Sequence, residues 1–151
     1  VRVASGSVLN GRKMEGPFGY LGAFHNQVSL IAEGKERKLL GWHMPGFDQY
    51  SVKRVFASKL LGRSRFPMSA STHGSKRALV PFGHFETVCA FDTLATQLLR
   101  ALITRDTDSA QELGVLELGE EDMALFTFVS TGKTDFGPIM RDNLDLIEKE
   151  G

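Results

Sequence analysis

The sequence predicts an α+β protein in which a β-rich N-terminal part is followed by a helical bundle. Residues 1–57 contain short runs in which apolar and polar residues partly alternate, with glycine and proline turn signals between them. From residue 92 onward, apolar residues instead recur at helical spacing. We therefore expect three segments: a β-rich part over residues 1–57, a basic and irregular connector over residues 58–91, and helices over residues 92–151.

Charge is divided unequally along the chain. The 18 basic and 18 acidic residues give a formal net charge of zero. Residues 106–151 hold 12 acids and 3 bases, which leaves 6 acids and 15 bases in residues 1–105. The division predicts complementary fields, either within the chain or with a partner, and carries no information about the fold.

Composition excludes several classes of protein. With 42% hydrophobic and 24% charged residues, the chain is typical of a soluble globular protein, and no apolar run approaches the roughly 20 residues of a membrane span. The start at Val1, with neither a methionine nor a leader, predicts a fragment of a longer protein. The single cysteine, Cys89, cannot form an internal disulfide or by itself hold a structural zinc or iron–sulfur cluster. We expect a reducing, cytoplasmic setting.

The first strand is expected at the start of the chain. Val1, Val3 and the pair Val8-Leu9 are typical of a strand, which the turn signal Asn10-Gly11 would end. The glycine-rich residues 11–22 predict a loop with close backbone approaches.

A hairpin is expected next. Residues 24–32 predict a half-buried strand whose inner face carries Phe24, Val28 and Leu30. Residues 37–42 are predicted to pair back against it, and residues 50–57 to form another strand.

The connector is basic and lacks a clear period. Residues 58–77 are rich in serine and glycine and predict a long loop, and no acid occurs between Asp48 and Glu86. Residues 78–90 carry apolar residues interrupted by Pro81 and Gly83, which favours an irregular strand or an extended connector.

The first helix is predicted over about residues 93–105. Asp92 can accept hydrogen bonds from the free amides of the first turn. One apolar stripe is expected to face the core, and it consists of Leu94, Leu98, Leu99, Leu102 and Ile103.

Three further helices follow from punctuation in the sequence. Asp106 is predicted to cap a short helix that Gly114 ends in the left-handed conformation. Residues 120–122 supply an acidic first turn for the next helix, and Pro138 fits the first position of the last one. The inward-facing residues expected on the last helix are Ile139, Met140, Leu144 and Ile147.

Motifs for nucleotides are incomplete. Residues 130–134 resemble the end of a phosphate-binding loop, but the full pattern needs a glycine where Thr127 stands, and a helix-ending turn is the better interpretation. Gly16, Gly19 and Gly22 do not have the spacing of the dinucleotide fingerprint, so we interpret them as a loop shaped for packing.

The spacing of the histidine, cysteine and serine residues does not indicate a catalytic or metal site. No histidine lies two or four positions from another histidine or from Cys89, and no G-x-S-x-G elbow occurs. The four histidines are therefore interpreted as structural or exposed residues, and they are His25, His43, His73 and His84. We predict no catalytic, cofactor-binding or metal-binding residue.

The basic segment suggests contact with an acidic surface. Arg63, Arg65, Lys76 and Arg77 lie near Phe66, but a neutral net charge and the absence of a nucleic-acid module argue against nucleic acid. A solvated loop, an acidic partner and anionic lipid remain open as interpretations.

Several stretches resemble one family. These are RVASGSVLNG (residues 2–11), YLGAFHNQVSLIAEG (20–34), GWHMPG (41–46), DTDSAQELGVLELGEEDMAL (106–125) and IEKEG (147–151). On these stretches the chain resembles the C-terminal part of the NqrA subunit of the bacterial Na+-translocating NADH:quinone oxidoreductase.

The resemblance implies a peripheral subunit on the cytoplasmic face of the inner membrane, in a six-subunit respiratory complex that oxidises NADH, reduces ubiquinone and exports sodium. It also implies a β-grasp-like, soluble-ligand-binding module over residues 1–57 and a helical bundle from about residue 92. Similar proteins of respiratory complex I carry cluster-binding cysteines in this bundle. Residues 115–151 contain no cysteine, so we expect that cluster to be absent.

The resemblance assigns the flavins, the iron–sulfur centre and the NADH site of the complex to other subunits, and S-G-A-T flavin-attachment motifs do not occur here. It places quinone binding on no residue of this chain. We expect a docking and scaffolding piece without a redox centre of its own, whose partners are the other subunits. A ligand-binding module that contacts ubiquinone is the alternative, and no acid–base pair supports an independent enzyme.

Overall fold

The computed structural model of the chain describes residues 1–34, 39–52, 55–62 and 64–150, except for the side chain of Trp42. Within these residues it contains a three-stranded antiparallel sheet and five α-helices, which confirms the α+β class. The chain divides into two compact units, Val1–His73 and Gly74–Gly151, here called the sheet unit and the helical unit. The three segments expected from the sequence remain a prediction.

The sheet unit contains three short strands. β1 (Arg2–Ser5) lies in the centre, between β2 (Arg12–Lys13) and β3 (Val28–Ile31). Single-turn 3₁₀ helices occur at Gly16–Phe18, Gly41–His43 and Ala57–Lys59. After β1 the chain turns at Gly6, whose φ of 104° favours glycine, and the amide of Gly6 donates to the carbonyl of Gln27 at 2.9 Å.

The strand predicted over residues 24–32 is confirmed in its C-terminal half, but its inner face was wrongly predicted. Phe24, Val28 and Leu30 are exposed, and Ser29 is the buried residue. The register explains the reversal, because Ser29 lies opposite Ala4 on the covered face. The Ser29 hydroxyl is satisfied there, since it donates to the carbonyl of Gly6 at 2.7 Å.

The predicted hairpin partner of this strand is wrong in its described part. Residues 35–38 lie outside the described residues, whereas Leu40 is left-handed, with a φ of 52°, and leads into the 3₁₀ turn Gly41–His43. β3 pairs with β1 instead. The strand predicted over residues 50–57 is also absent from its described part, residues 50–52 and 55–57; the amide of Ala57 donates to the carbonyl of Pro45 at 2.9 Å and closes a loop.

Two more assignments in the sheet unit are corrected. Val8-Leu9 lies in a turn, because the Ser7 hydroxyl accepts hydrogen bonds from the amides of Leu9 and Asn10 and competes with strand pairing. Arg12–Lys13, predicted as loop, forms β2 opposite β1.

The helical unit contains α1 (His84–Val88), α2 (Ala95–Thr104), α3 (Thr107–Glu112), α4 (Ala124–Val129) and α5 (Phe136–Glu150). Two 3₁₀ turns, Val115–Glu117 and Glu120–Met123, lie between α3 and α4. The helix α1 occupies the stretch predicted as an irregular strand or connector, so that prediction is wrong for residues 84–88.

The core of the helical unit is built on α2. Leu98, Leu99 and Leu102 are fully buried, as the stripe predicted, whereas Leu94 and Ile103 at its ends are 60% and 41% exposed. The remaining buried apolar residues around them are Phe85, Ala95, Ala101, Ala110, Val115, Met123, Phe126, Val129, Phe136 and Met140. The ring of Phe85 meets those of Phe126 and Phe136 edge to face.

The cap of α2 comes from another helix. The sequence predicted Asp92, but Glu86 of α1 accepts the hydrogen bond from the amide of Thr96, at 3.3 Å, and a second one from the Thr96 hydroxyl. The Thr96 hydroxyl, aided by backbone hydrogen bonds, lowers the pKa of the Glu86 carboxyl. A tertiary contact thus fixes the start of α2 and ties it to α1.

The predicted cap of α3 is confirmed. Asp106 accepts hydrogen bonds from the amide of Ser109, at 3.1 Å, and from its hydroxyl, at 2.7 Å. Both bonds lower the pKa of the Asp106 carboxyl. Gly114, with a φ of 87°, takes the left-handed conformation expected after this helix. An acidic side chain also caps the turn before α4: the Asp122 carboxylate accepts a hydrogen bond from the amide of Gly119 at 2.8 Å.

The last helix begins earlier than its proline predicted. α5 begins at Phe136, so Pro138 is its third residue instead of its first, still within the turn where no amide partner is needed. Met140 is fully buried, and the other three predicted inward residues are half-buried against the core. Asn143, also buried, donates from Nδ2 to the carbonyls of Leu102 and Ile139, at 2.9 and 2.8 Å, and so joins α5 to α2.

Alanine substitutions at a buried and at an exposed leucine of the predicted stripe should have different effects on stability. Leu99→Ala is expected to lower the free energy of unfolding by about 2–5 kcal/mol, because the side chain is fully buried and leaves a cavity. Leu94→Ala, at the exposed residue immediately before this helix, is the control, with an expected change within about 0.5 kcal/mol. Urea unfolding followed by circular dichroism measures both, and equal losses would contradict this account of the core.

Candidate functional site

The pairing register gathers several unlike side chains on one face of the sheet. Ser5 of β1 lies opposite Arg12 of β2 and also opposite Val28 of β3. Val3 and Leu30 form the neighbouring pair. Residues directly opposite in antiparallel strands project to the same side, and side chains two apart along a strand do so too. All five residues therefore belong to one surface, here called the apolar sheet face.

Two aromatic rings lie over the one cation of this face. The guanidinium carbon of Arg12 is 4.8 Å from the centre of the Phe18 ring and 5.1 Å from the centre of the Tyr20 ring. The rings bury Nε and Nη2 of Arg12, which have no hydrogen-bond partner. The ring faces attract the cation and take the place of water around it. The glycine-rich loop thus folds over β2. A Cβ at Gly22 would lie 3.0 Å from Nδ1 of His25, whereas one at Gly16 would meet nothing within 4 Å, so the predicted packing role does not apply to Gly16.

Ser5 and His25 form a half-buried polar contact on the same face. The Ser5 oxygen and His25 Nδ1 are 2.6 Å apart and share a hydrogen bond whose direction depends on the imidazole tautomer. The Ser5 oxygen also accepts from the amide of Gly22 at 2.9 Å. Because Ser5 is fully buried, its hydroxyl cannot reach a substrate. The pair attaches the loop of residues 22–25 to β1 instead of forming a nucleophile.

A shallow hollow lies in the basic segment. It has a volume of about 680 Å³ and is lined by Leu61, Gly62, Ser64, Arg65, Phe66 and Pro67. The edge of the Tyr50 ring meets the Phe66 ring with 5.6 Å between their centres. Arg63 lies outside the described residues. The hollow offers an aromatic wall beside one guanidinium.

The turn that resembles a phosphate loop packs against a neighbouring segment. It follows the helix α4, whereas a phosphate loop follows a strand. The amide of Arg77 donates to the carbonyl of Gly132 at 2.8 Å, so the turn lies on residues 77–78. Burial, and next the charge of Arg77, lower the pKa of the Lys133 ammonium.

Two of the four histidines, His25 and His84, contact different residues. His25 contacts Ser5, and His84 opens α1 with its ring 6.1 Å from that of Phe82. Across the described ranges, no group of three or more histidine, cysteine or acidic residues is placed to hold a metal ion. Cys89 donates from Sγ to the carbonyl of Phe91 at 3.4 Å.

Sequence reasoning missed the apolar sheet face and its arginine. Finding Arg12 under two rings required knowing that residues 12–13 pair with β1, and the glycine-rich composition of that stretch predicted a loop instead. The only signal in the sequence was one arginine followed by two aromatic residues between glycines.

By architecture and composition, the chain is an α+β protein whose sheet unit exposes an apolar face, whose middle segment is basic and whose C-terminal helical part is acidic. In the described part of the chain, no helix is long and apolar enough to cross a membrane. No family model matches the sequence.

Comparison with known proteins identifies the chain more closely. It is 58% identical over 151 residues to NqrA, a subunit of the Na(+)-translocating NADH-quinone reductase, from Rhodopirellula baltica. It is 54% identical over 150 residues to NqrA of Marinomonas sp. and over 151 residues to that of Shewanella frigidimarina. The chain is therefore homologous to the C-terminal part of NqrA, as its motifs predicted.

The match is complete for this chain and partial for its relatives. It covers 100% of the chain and 33% of the R. baltica protein, and 99% of the chain and 34% of the Marinomonas protein. The chain thus spans about a third of the length of these curated relatives.

Two glycines of the helical unit should respond in opposite ways to alanine. A Cβ at Gly132 would lie 2.9 Å from the carbonyl oxygens of Arg77 and Ala78, so Gly132→Ala is expected to cost about 1–3 kcal/mol of stability. Gly137→Ala in α5, where the nearest atom is 3.8 Å away, should be neutral or stabilising by up to about 1 kcal/mol. Thermal unfolding compares the two variants; a tolerated Gly132→Ala would show that the turn does not depend on this close packing.

Proposed function

We propose that this chain is a docking and scaffolding part of NqrA in a Na+-translocating NADH:quinone reductase, without a redox centre of its own. The single observation that carries the proposal is the 58% identity along the whole chain to such a subunit. Its partners are then the other subunits of that complex. The part would be peripheral, held at the cytoplasmic face of the inner membrane by those partners.

The cysteine and the Ser–His pair of the chain favour the role of a scaffold and not that of an electron carrier. Its one cysteine, Cys89, is half-buried and makes its contact with the backbone. Its half-buried Ser–His pair connects a loop to a strand. Under this proposal, the flavins, iron–sulfur centre and NADH site reside on other subunits, and electron transfer does not involve this chain.

Charge gives the docking role its physical basis. The basic residues concentrate before residue 106 and the acidic ones after it, so the chain can present surfaces of both signs to its neighbours. Lys59 and Arg65 of the basic segment are exposed, as contact residues must be. We extend the proposal to the family architecture: a β-grasp-like module formed with the rest of the subunit, and a helical bundle from about residue 92.

Contact with ubiquinone is the second candidate function. The hollow beside Phe66 favours it, since an aromatic wall with a nearby guanidinium can hold a quinone ring and donate to its carbonyl oxygen. In that case the basic segment serves a ligand in addition to a partner.

Neutralising the basic segment should weaken assembly. The combined change Lys59→Gln, Arg63→Gln and Arg65→Gln is expected to reduce co-purification of the other subunits at about 0.05 M salt, and the deficit should shrink near 1 M, where screening acts within about 3 Å. The control carries the same charge change at exposed positions of the helical unit, as Arg100→Gln, Arg105→Gln and Lys149→Gln. Equal behaviour of the two triple variants would refute a specific docking role for the segment.

Quinone contact can be measured directly in full-length NqrA. Titration with a short-chain ubiquinone, followed by saturation-transfer NMR, should show binding that Phe66→Ala weakens by roughly threefold to tenfold, because a stacked ring contributes about 0.5–1.5 kcal/mol. Phe82→Ala, at an exposed aromatic residue of the helical unit, is the control and should leave the affinity unchanged. Binding that survives Phe66→Ala would place the quinone elsewhere.

A further inference from the structure

The apolar sheet face is open along β3. Leu30 is 70% exposed and Val28 is 51% exposed, although both are strand residues with aliphatic side chains. Phe18 and Tyr20, whose rings cover Arg12, expose about half of their surface, and Phe24 in the adjoining loop is fully exposed. Apolar residues grouped in this way on one face normally mark a contact surface.

The sheet unit also buries little apolar surface elsewhere. Among its described residues, Ala4 is the only hydrophobic residue that is buried. The 13 residues of the hydrophobic core all lie in the helical unit. A small sheet needs an apolar face that is packed against another element in order to be stable in water. The sheet of this unit consists of strands of four, two and four residues, and it needs such a cover.

The occupant follows from the length of the relatives. The chain corresponds to 33% and 34% of the R. baltica and Marinomonas proteins, so about two thirds of each polypeptide lies outside it. A segment of the same polypeptide can cover the face while the protein folds. A different subunit could do so only after the sheet unit had already folded without its cover.

We propose that, in full-length NqrA, the polypeptide N-terminal to this chain packs an apolar strand or helix face onto the apolar sheet face, over Val28 and Leu30, and extends to Phe24 in the loop before β3. The covering surface is apolar because Arg12, the one charged residue established on this face, is already occupied by the rings of Phe18 and Tyr20. This inference rests on the exposed sheet face and on the homology, and it stays valid whichever subunit the basic segment contacts.

Site-specific photo-cross-linking in the assembled complex tests the proposal. The photoreactive residue p-benzoyl-phenylalanine is introduced at the position of Leu30 and, in a second variant, at that of Phe24, and mass spectrometry identifies the cross-linked peptides. Leu30 and Phe24 are exposed here, so neither replacement has to fit into a buried site of this chain. The same residue at Glu148, exposed on α5, measures the background.

The expected product from both positions is an intramolecular cross-link to a peptide N-terminal to this chain, in yields well above the Glu148 background. A cross-link to residues 74–151, to a different subunit or to a second copy of NqrA would overturn the proposal. So would background yield at both positions in a folded complex, because it would mean that the face is uncovered.

Discussion

Burial of the leucines of α2 is the interaction on which the rest of the helical unit depends. Leu98, Leu99 and Leu102 are fully buried. The helices α1, α3 and α5 pack around α2. Polar contacts then fix those neighbours in place. Glu86 of α1 caps the start of α2, and Asn143 of α5 donates to the carbonyl of Leu102. The apolar core supplies the stability, and these hydrogen bonds select one arrangement of the helices.

Sequence reasoning succeeded where the information was local. The centre of the stripe on α2, the Asp106 cap and Gly114 each depend on residues within one or two helical turns, and each was found as predicted. The two ends of the stripe, Leu94 and Ile103, are exposed instead. The prediction from Pro138 placed the start of the last helix two residues too late, because a proline is tolerated throughout the first turn.

Three of the failures involve partners distant in sequence. The buried face of β3 was reversed because only the pairing with β1 decides that Ser29 points inward. The cap of α2 comes from Glu86, ten positions from the Thr96 that it holds, and no local pattern shows it. The same limit hid Arg12, whose surroundings exist only once β2 is paired. The apolar sheet face therefore required the structure, whereas the basic segment and the family were readable from the sequence.

The uneven distribution of the core has a calorimetric consequence. The heat-capacity increment of unfolding grows with the apolar surface that water gains access to. Since the hydrophobic core of the chain lies in Gly74–Gly151, the melting of these helices dominates the increment, and the loss of the sheet adds little to it. A calorimetric trace of the chain is in effect a measurement on its second half.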